Sequence, residues 1–288
     1  MIIEVLSAGM LTTVQDLGRY GYGPMGVSAA GAADPVALRF GNRMVGNPEN
    51  GAALEMTLLG GTFAFPEGAV VALTGAEFDS SIPLWTPVHL NPGATVKIGG
   101  SKTGARCYLC VRGGIQAPLF LGSASTHILT GLGGRHVRRG DKLQIEGQGV
   151  SDPAVLPRPD YLRKVLRVTR GPQDFGEEAL KTFCASLYTV TEDSNRMGLR
   201  LQGPPIEAPH GGQMISEGVS LGAIQIPSGG QPIILFVDQQ TTGGYPKIAN
   251  VITADLPSVG QLRPRDEIRF ELTDGRSARR LLRERNLP

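Results

Sequence analysis

The chain of 288 residues carries 40 glycines and 21 prolines without a three-residue period, among 41% apolar residues. Glycine costs about 1 kcal/mol and proline about 3 kcal/mol in a helix interior, so this spacing excludes a helical bundle and predicts short strands joined by tight turns. The apolar content excludes a disordered chain, and a formal charge of +2 gives no field to draw nucleic acid or an anionic membrane.

In chain order, Asp34 and Pro35 read as an N-cap and first-turn proline of a helix to about Val45, stopped by Gly46 and Asn47. Period-two alternation then predicts strands over Val70 to Phe78, Thr95 to Ile98 and Ala105 to Arg112, the last with one buried face carrying Cys107, Leu109 and Val111. Lys142 to Glu146 is the next strand, followed by Val150 to Lys164, where Pro153, Pro157 and Pro159 make a stiff linker. Lys164 to Thr169 reads as a strand, and Asp174 with Glu177 as a capping-box-like start of a helix bearing Leu180, Phe183 and Leu187. Strands over Ile233 to Val237 and Glu267 to Leu272 precede a basic C-terminal helix from about Ser277.

Three segments of the first half are echoed, in order, in the second. Asp16, Arg19 and Gly21 recur as Asp193, Arg196 and Gly198. Gly26, Val27, Ser28, Gly31, Ala32 and Pro35 recur as Gly218, Val219, Ser220, Gly222, Ala223 and Pro227. Arg138, Asp141, Leu143, Ile145 and Glu146 recur as Arg263, Asp266, Ile268, Phe270 and Glu271. A duplication of a mainly β unit with few short helices follows, with expected domains over residues 1–149 and 165–288 joined by the linker 150–164. Two β-barrels in tandem fit this pattern, because closed barrels need glycine at corners and bulges.

Several familiar constellations are absent. The Cys107-Tyr108-Leu109-Cys110 run places its sulfurs on opposite faces of a strand, which excludes thioredoxin-like chemistry. His89, His127, His136 and His210 lack ligand spacing, so no metal site is expected. No Walker loop, dinucleotide fingerprint or nucleophile elbow is present. The opening residues carry no signal-peptide pattern and three cysteines make no disulfide framework, so a soluble cytoplasmic protein is expected.

Three segments carry candidate chemistry. Gly131 to His136, with Gly133, Gly134 and Arg135, is a glycine-rich turn beside positive charge; it suits an anion nest or, more blandly, a solvated barrel loop. Thr241-Thr242-Gly243-Gly244-Tyr245-Pro246-Lys247 follows an apolar run and puts two hydroxyls, a phenol and an ammonium at a strand end. Ser216-Glu217-Gly218 supplies a carboxylate or merely a turn. Paired features such as Asp16 with Arg19 and Asp193 with Arg196 read as fold-holding ion pairs or turns. The unrepeated ones are the better functional candidates: Lys247, Tyr245 and Glu217 for catalysis, and Thr241, Thr242, Gly243, Gly244, Arg135, Gly133 and Gly134 for substrate binding.

Eight ordered runs, among them Thr13-Val14-Gln15-Asp16-Leu17-Gly18-Arg19, Asn42-Arg43-Met44-Val45-Gly46-Asn47, Val111-Arg112-Gly113-Gly114-Ile115, Gly122-Ser123-Ala124-Ser125-Thr126 and Thr241 to Ile248, resemble the allophanate hydrolase subunit 2 family. This is also the biotin-dependent carboxyltransferase or KipA family, and it includes the C subunit of the bacterial 5-oxoprolinase. The resemblance implies tandem cyclophilin-like β-barrels, a KipI-like partner and, in the oxoprolinase, a LamB/YcsF-like third subunit. The complex would spend ATP to open 5-oxoproline, a small cyclic amide, to glutamate, with no nucleotide motif, biotin or metal expected on this chain. The resemblance equally admits carboxyl transfer onto urea or a related amide, or a non-catalytic KipA-like regulator of a kinase inhibitor. Many relatives carry a hydroxyl where Ala30 stands and Arg where Ala124 stands, so those positions could alter specificity.

Overall fold

The computed structural model describes residues 1–146 and 149–284. Strand accounts for 33% and helix for 16%, as the glycine and proline spacing predicts. Residues 1–19 with 30–158 form one compact unit, and residues 20–29 with the chain from Pro159 onward form another. The division falls inside the proline-bearing segment; nothing local in the sequence announces that residues 20–29 group with the second unit.

The first unit contains, in order, β1 (Ile2–Ser7), β2 (Leu11–Gln15), α1 (Pro35–Met44), β3 (Ala53–Thr57), β4 (Thr62–Phe65), β5 (Ala69–Gly75), β6 (Phe78–Ser80), β7 (Pro87–Leu90), β8 (Ala94–Ser101), β9 (Arg106–Val111) and β10 (Lys142–Gln144). They pair antiparallel as two five-stranded sheets, ordered β10-β1-β4-β8-β6 and β2-β3-β9-β5-β7. Phe63, Phe65, Val96 and Ile98 of one sheet share a core with Leu54, Met56, Leu109 and Val111 of the other. The expected strand over Val70 to Phe78 is split, because Gly75 turns at φ 97° where a Cβ would sit 2.6 Å from the Arg106 carbonyl oxygen.

Alternation along β9 predicts one buried face, yet all six residues are buried. The reason is α1, which covers the other face. The Cys110 thiol meets the Leu38 carbonyl at 3.8 Å, and Thr74 Oγ1 donates to the Ala37 carbonyl at 2.7 Å. Cys107 lies in the core between the sheets, so the two sulfurs do face opposite ways, and burial pushes both thiols up. The predicted cap holds: the Asp34 carboxylate accepts from Ala37 N at 3.0 Å, with Pro35 in the first turn. Glu55 on β3 accepts from Ala33 N and from the Tyr108 hydroxyl, and that hydroxyl accepts from Asp34 N at 2.7 Å. A buried network thereby locks the entry to α1.

The second unit contains β11 (Val165–Arg170), α2 (Gly176–Ala185), β12 (Tyr188–Val190), β13 (Gly198–Gln202), β14 (Glu217–Gly218), β15 (Ala223–Gln225), β16 (Ile233–Leu235), β17 (Thr242–Gly243), β18 (Lys247–Val251), α3 (Leu256–Gly260), β19 (Glu267–Leu272) and α4 (Gly275–Glu284). Seven of these strands close a barrel in the order β11-β18-β15-β16-β13-β12-β19, and β14 with β17 forms a separate two-stranded ribbon. The contact between β11 and β19 is parallel, from Val165↔Arg269 to Val168↔Leu272. Phe183 of α2 stacks on Phe270 at 4.4 Å, fixing the helix to the barrel. The helix starts later than the capping pattern predicts: Asp174 accepts from Gly176 N at 2.9 Å, and Glu177 pairs with Arg170 on the surface. Leu187 lies beyond the helix end and is exposed, so it does not extend the apolar stripe.

One echo is built as the same turn twice. Arg138 N donates to the Asp141 carboxylate and Arg263 N to that of Asp266, each at 2.8 Å, and each turn leads into a strand. The third turn position is left-handed in both, Gly140 at φ 89° and Arg265 at φ 70°. The Asp16–Arg19 echo is used differently. Arg196 forms a buried two-bond pair with Asp238, at 2.8 and 3.0 Å, and not the expected pair with Asp193, which is exposed. Arg19 donates to the Phe120 and Ser125 carbonyls, while Asp16 accepts from the Ser123 and Ser125 hydroxyls at 2.6 and 2.5 Å.

A left-handed arginine carries backbone strain that glycine does not, and the Arg265 ion pair with Glu192 is exposed and contributes little. Arg265→Gly is therefore expected to stabilise the chain by about 0.5–1 kcal/mol, read as a higher urea midpoint with an unchanged slope.

Candidate functional site

The Thr241–Lys247 segment leads into β18 of the second unit. On one side, β15 pairs with β18 through Ile224↔Ala249 and then Gln225↔Lys247, a bulge that skips Ile248. It brings Gln225 opposite Lys247, and the two residues are 1% and 5% exposed. On the other side, Gly171 follows β11, and a Cβ there would lie 2.0 Å from the Lys247 carbonyl oxygen. Only glycine allows that approach, and it places Gln173 two residues later against the start of β18.

Gln173 then binds at both ends. Its Oε1 accepts from Lys247 N at 2.8 Å, and its Nε2 donates to Glu217 Oε1 at 2.8 Å. Glu217 Oε1 also accepts from Lys247 Nζ, closing an ion pair. The Lys247 side chain is buried while that of Glu217 remains 42% exposed, so the pair runs from the interior towards solvent. Hydrogen bonds from Lys247 and then Gln173 hold the Glu217 carboxyl below its usual range. Glu217 pairs with Gly243, and Gly218 with Thr242, in the β14–β17 ribbon. The ribbon is tied further by Val219 N to the Thr241 carbonyl at 3.1 Å and Met214 N to the Gly244 carbonyl at 2.9 Å. Tyr245 is 42% exposed on the same loop.

The sequence candidates Glu217, Thr241, Thr242, Gly243, Gly244, Tyr245 and Lys247 thus come together. The arrangement offers a buried ammonium, its carboxylate partner and side-chain amides, a set suited to holding an anionic or carbonyl oxygen. Gln173 and Gln225 belong to it and were not singled out by sequence. Gln173 follows a predicted strand in the run Arg170-Gly171-Pro172-Gln173, the kind of strand-end loop that carries function. Gln225 left a fainter mark, a lone amide between Ile224 and Ile226.

Arg135, Gly133 and Gly134 lie in the first unit. Gly133 sits at φ 72° where a Cβ would lie 2.1 Å from the Ser125 carbonyl oxygen, so packing requires glycine there. The Arg135 guanidinium is engaged by Asp141 in two bonds of 2.8 and 2.7 Å, and that pairing holds the Asp141 carboxyl low. Next to this loop a cavity of about 410 Å³ is lined by His136, Arg138, Arg139 and residues 6–10. Ala30 and Ala124 are both buried in this unit; Ala124 N donates to Asp16 at 2.7 Å, and Ala30 has φ 52°. Among the described residues no group of three or more His, Cys, Asp or Glu side chains gathers to hold a metal, and no helix is long and apolar enough to cross a membrane.

The class is that of a carboxyltransferase domain: residues 25–272 match the model of the carboxyltransferase domain, subdomains A and B. The chain belongs to that family. It is 37% identical to the 5-oxoprolinase C subunit of Haemophilus influenzae, over 99% of this chain and 96% of that protein. It is also 37% identical to the 5-oxoprolinase C subunit of Escherichia coli, over 93% and 90%. Among solved structures it matches the Kluyveromyces lactis urea amidolyase with a TM-score of 0.93 at 32% identity, covering 98% of this chain but 19% of that much longer protein.

The lowered Glu217 group makes the pair pH-dependent. Its stabilisation is fully present above the unfolded value of about 4.3 and is lost as pH falls through the lower folded value. Carboxyl carbon NMR of Glu217 is expected to titrate below an ordinary glutamate, and Lys247→Met to move that midpoint upward.

Proposed function

We propose that this chain is the C subunit of an ATP-dependent 5-oxoprolinase. It would act with a KipI-like subunit and a LamB/YcsF-like subunit, in the cytoplasm, to open 5-oxoproline to L-glutamate. The observation that carries the reading is the match to nearly the whole length of the 5-oxoprolinase C subunit, 96% of the H. influenzae protein. The Lys247 site supports it chemically. Opening a lactam puts negative charge on the carbonyl oxygen, and a preorganised cation in a dry site stabilises that charge far better than water does.

In this reading the Lys247 ammonium faces the developing oxyanion. Glu217 stays ionised and, with Gln173, holds Lys247 in place; a carboxyl held low is a poor proton acceptor near neutral pH. Thr241, Thr242, Gly243, Gly244 and Tyr245 form the approach to it. ATP is consumed by the complex, and this chain carries no nucleotide-binding motif of its own. The second reading, carboxyl transfer onto urea or a related amide, is favoured by the 34% identity to the urea amidolyase of Saccharomyces cerevisiae. It would require a biotin carrier from another protein.

The test is reconstitution of the three subunits with 5-oxoproline and ATP. Glutamate is expected to form only with ATP and all three proteins, and Lys247→Ala to lower kcat by at least about 100-fold. Turnover that depends on a biotinylated carrier and bicarbonate would replace this reading with the second one.

A further inference from the structure

Gln225 carries a buried polar group whose hydrogen-bonding capacity the fold leaves unmet. It is 1% exposed, and its Nε2 is buried without a hydrogen-bond partner. A buried amide donor left unpaired is costly, and native proteins leave few of them. The flanking residues Ile224 and Ile226 are fully buried apolar side chains, and an apolar residue between them would carry no such cost.

Its position is specific. The bulge in the β15–β18 ladder sets Gln225 opposite Lys247. Above it lies Gly243, where a Cβ would stand 2.6 Å from Gln225 Nε2. The backbone of Gly243 is not left-handed, and the group that a side chain there would meet first is the Gln225 amide. The residue that pairs with Gly243 is Glu217, the partner of Lys247. The orphaned amide and the buried ammonium therefore share one short ribbon as their cover.

We propose that Gln225 recognises the amide of the substrate, pairing with a lactam or urea group through both ends of its side chain. A primary amide presents a donor and an acceptor side by side; a ring lactam, whose N–H and C=O are held cis, presents the complementary pair. Gln225 Nε2 donates to the substrate carbonyl oxygen, the atom that Lys247 also faces, and Oε1 accepts from the substrate N–H. A lactam bound beneath the β14–β17 ribbon supplies the missing partner. A cyclic ester has no N–H and leaves Oε1 unpaired, so the site discriminates for amides. The inference rests on the amide-opening reading of the site.

The test uses the assembled three-subunit complex with Gln225→Met, Gly243→Ala and the double variant. Gln225→Met is expected to raise KM for 5-oxoproline about 10- to 100-fold with a smaller change in kcat, the pattern of lost binding. It is also expected to leave Tm unchanged or higher, because it removes a buried orphan; a residue that merely held the fold would lower it. Gly243→Ala is expected to raise KM by displacing the amide, and the double variant to be no worse than Gln225→Met alone. Wild-type turnover together with an unchanged KM in Gln225→Met would overturn the assignment alone. A wild-type complex that opens neither lactam nor urea would remove the functional reading, and this assignment with it.

Discussion

An ammonium buried at the start of a barrel strand is the constraint around which the second unit's candidate site is arranged. Taking Lys247 out of water is costly unless a counter-charge and hydrogen bonds replace the lost hydration. The counter-charge is Glu217, and because it belongs to β14, the pairing also fixes the ribbon that β14 forms with β17. Gln173 braces the pair, bonding the Lys247 backbone and the Glu217 carboxylate, and it reaches them only because Gly171 lets the end of β11 pass against the β18 backbone. One buried charge thus organises a loop, a ribbon and a strand end that are far apart in sequence.

Both units use a buried arginine of an echoed motif to tie down loops, but with different partners. Arg19 holds the carbonyls of the segment that Asp16 also grips, whereas Arg196 is neutralised by Asp238. The turn before β10 and the turn before β19 are bonded alike down to the left-handed third position. The echo is kept where backbone geometry is demanding, while the side-chain partners differ. The charge-bearing ribbon β14–β17 has its place in the second unit, where the unrepeated Thr241–Lys247 run lies.

Much of this was legible from local patterns. Alternation found the strands around Cys107 and Leu166, and an Asp-Pro pair found the start of α1, because both signals are short-range. The Thr241–Lys247 run stood out for its chemistry at the end of an apolar strand, and Glu217 as a nearby carboxylate. That Glu217 and Lys247 form one pair depends on a ribbon between segments well separated in sequence, which no spacing rule reports. Gln173 and Gln225 were missed for a related reason: a glutamine looks like surface until the ladder shows one bridging two strands and the other sealed beneath a glycine. Likewise β9 reads as one-sided, since the alternation cannot show that α1 covers its second face. Sequence spacing offers Asp193 with Arg196 as an ion pair or a turn, while the partner that shares the burial of Arg196, Asp238, comes from beyond β16.

The most direct test of the account is the structure of the assembled complex with 5-oxoproline bound. The account predicts the lactam beneath the β14–β17 ribbon, its carbonyl oxygen within hydrogen-bond reach of Lys247 Nζ and Gln225 Nε2. A lactam held elsewhere, with no atom touching Lys247, would contradict it.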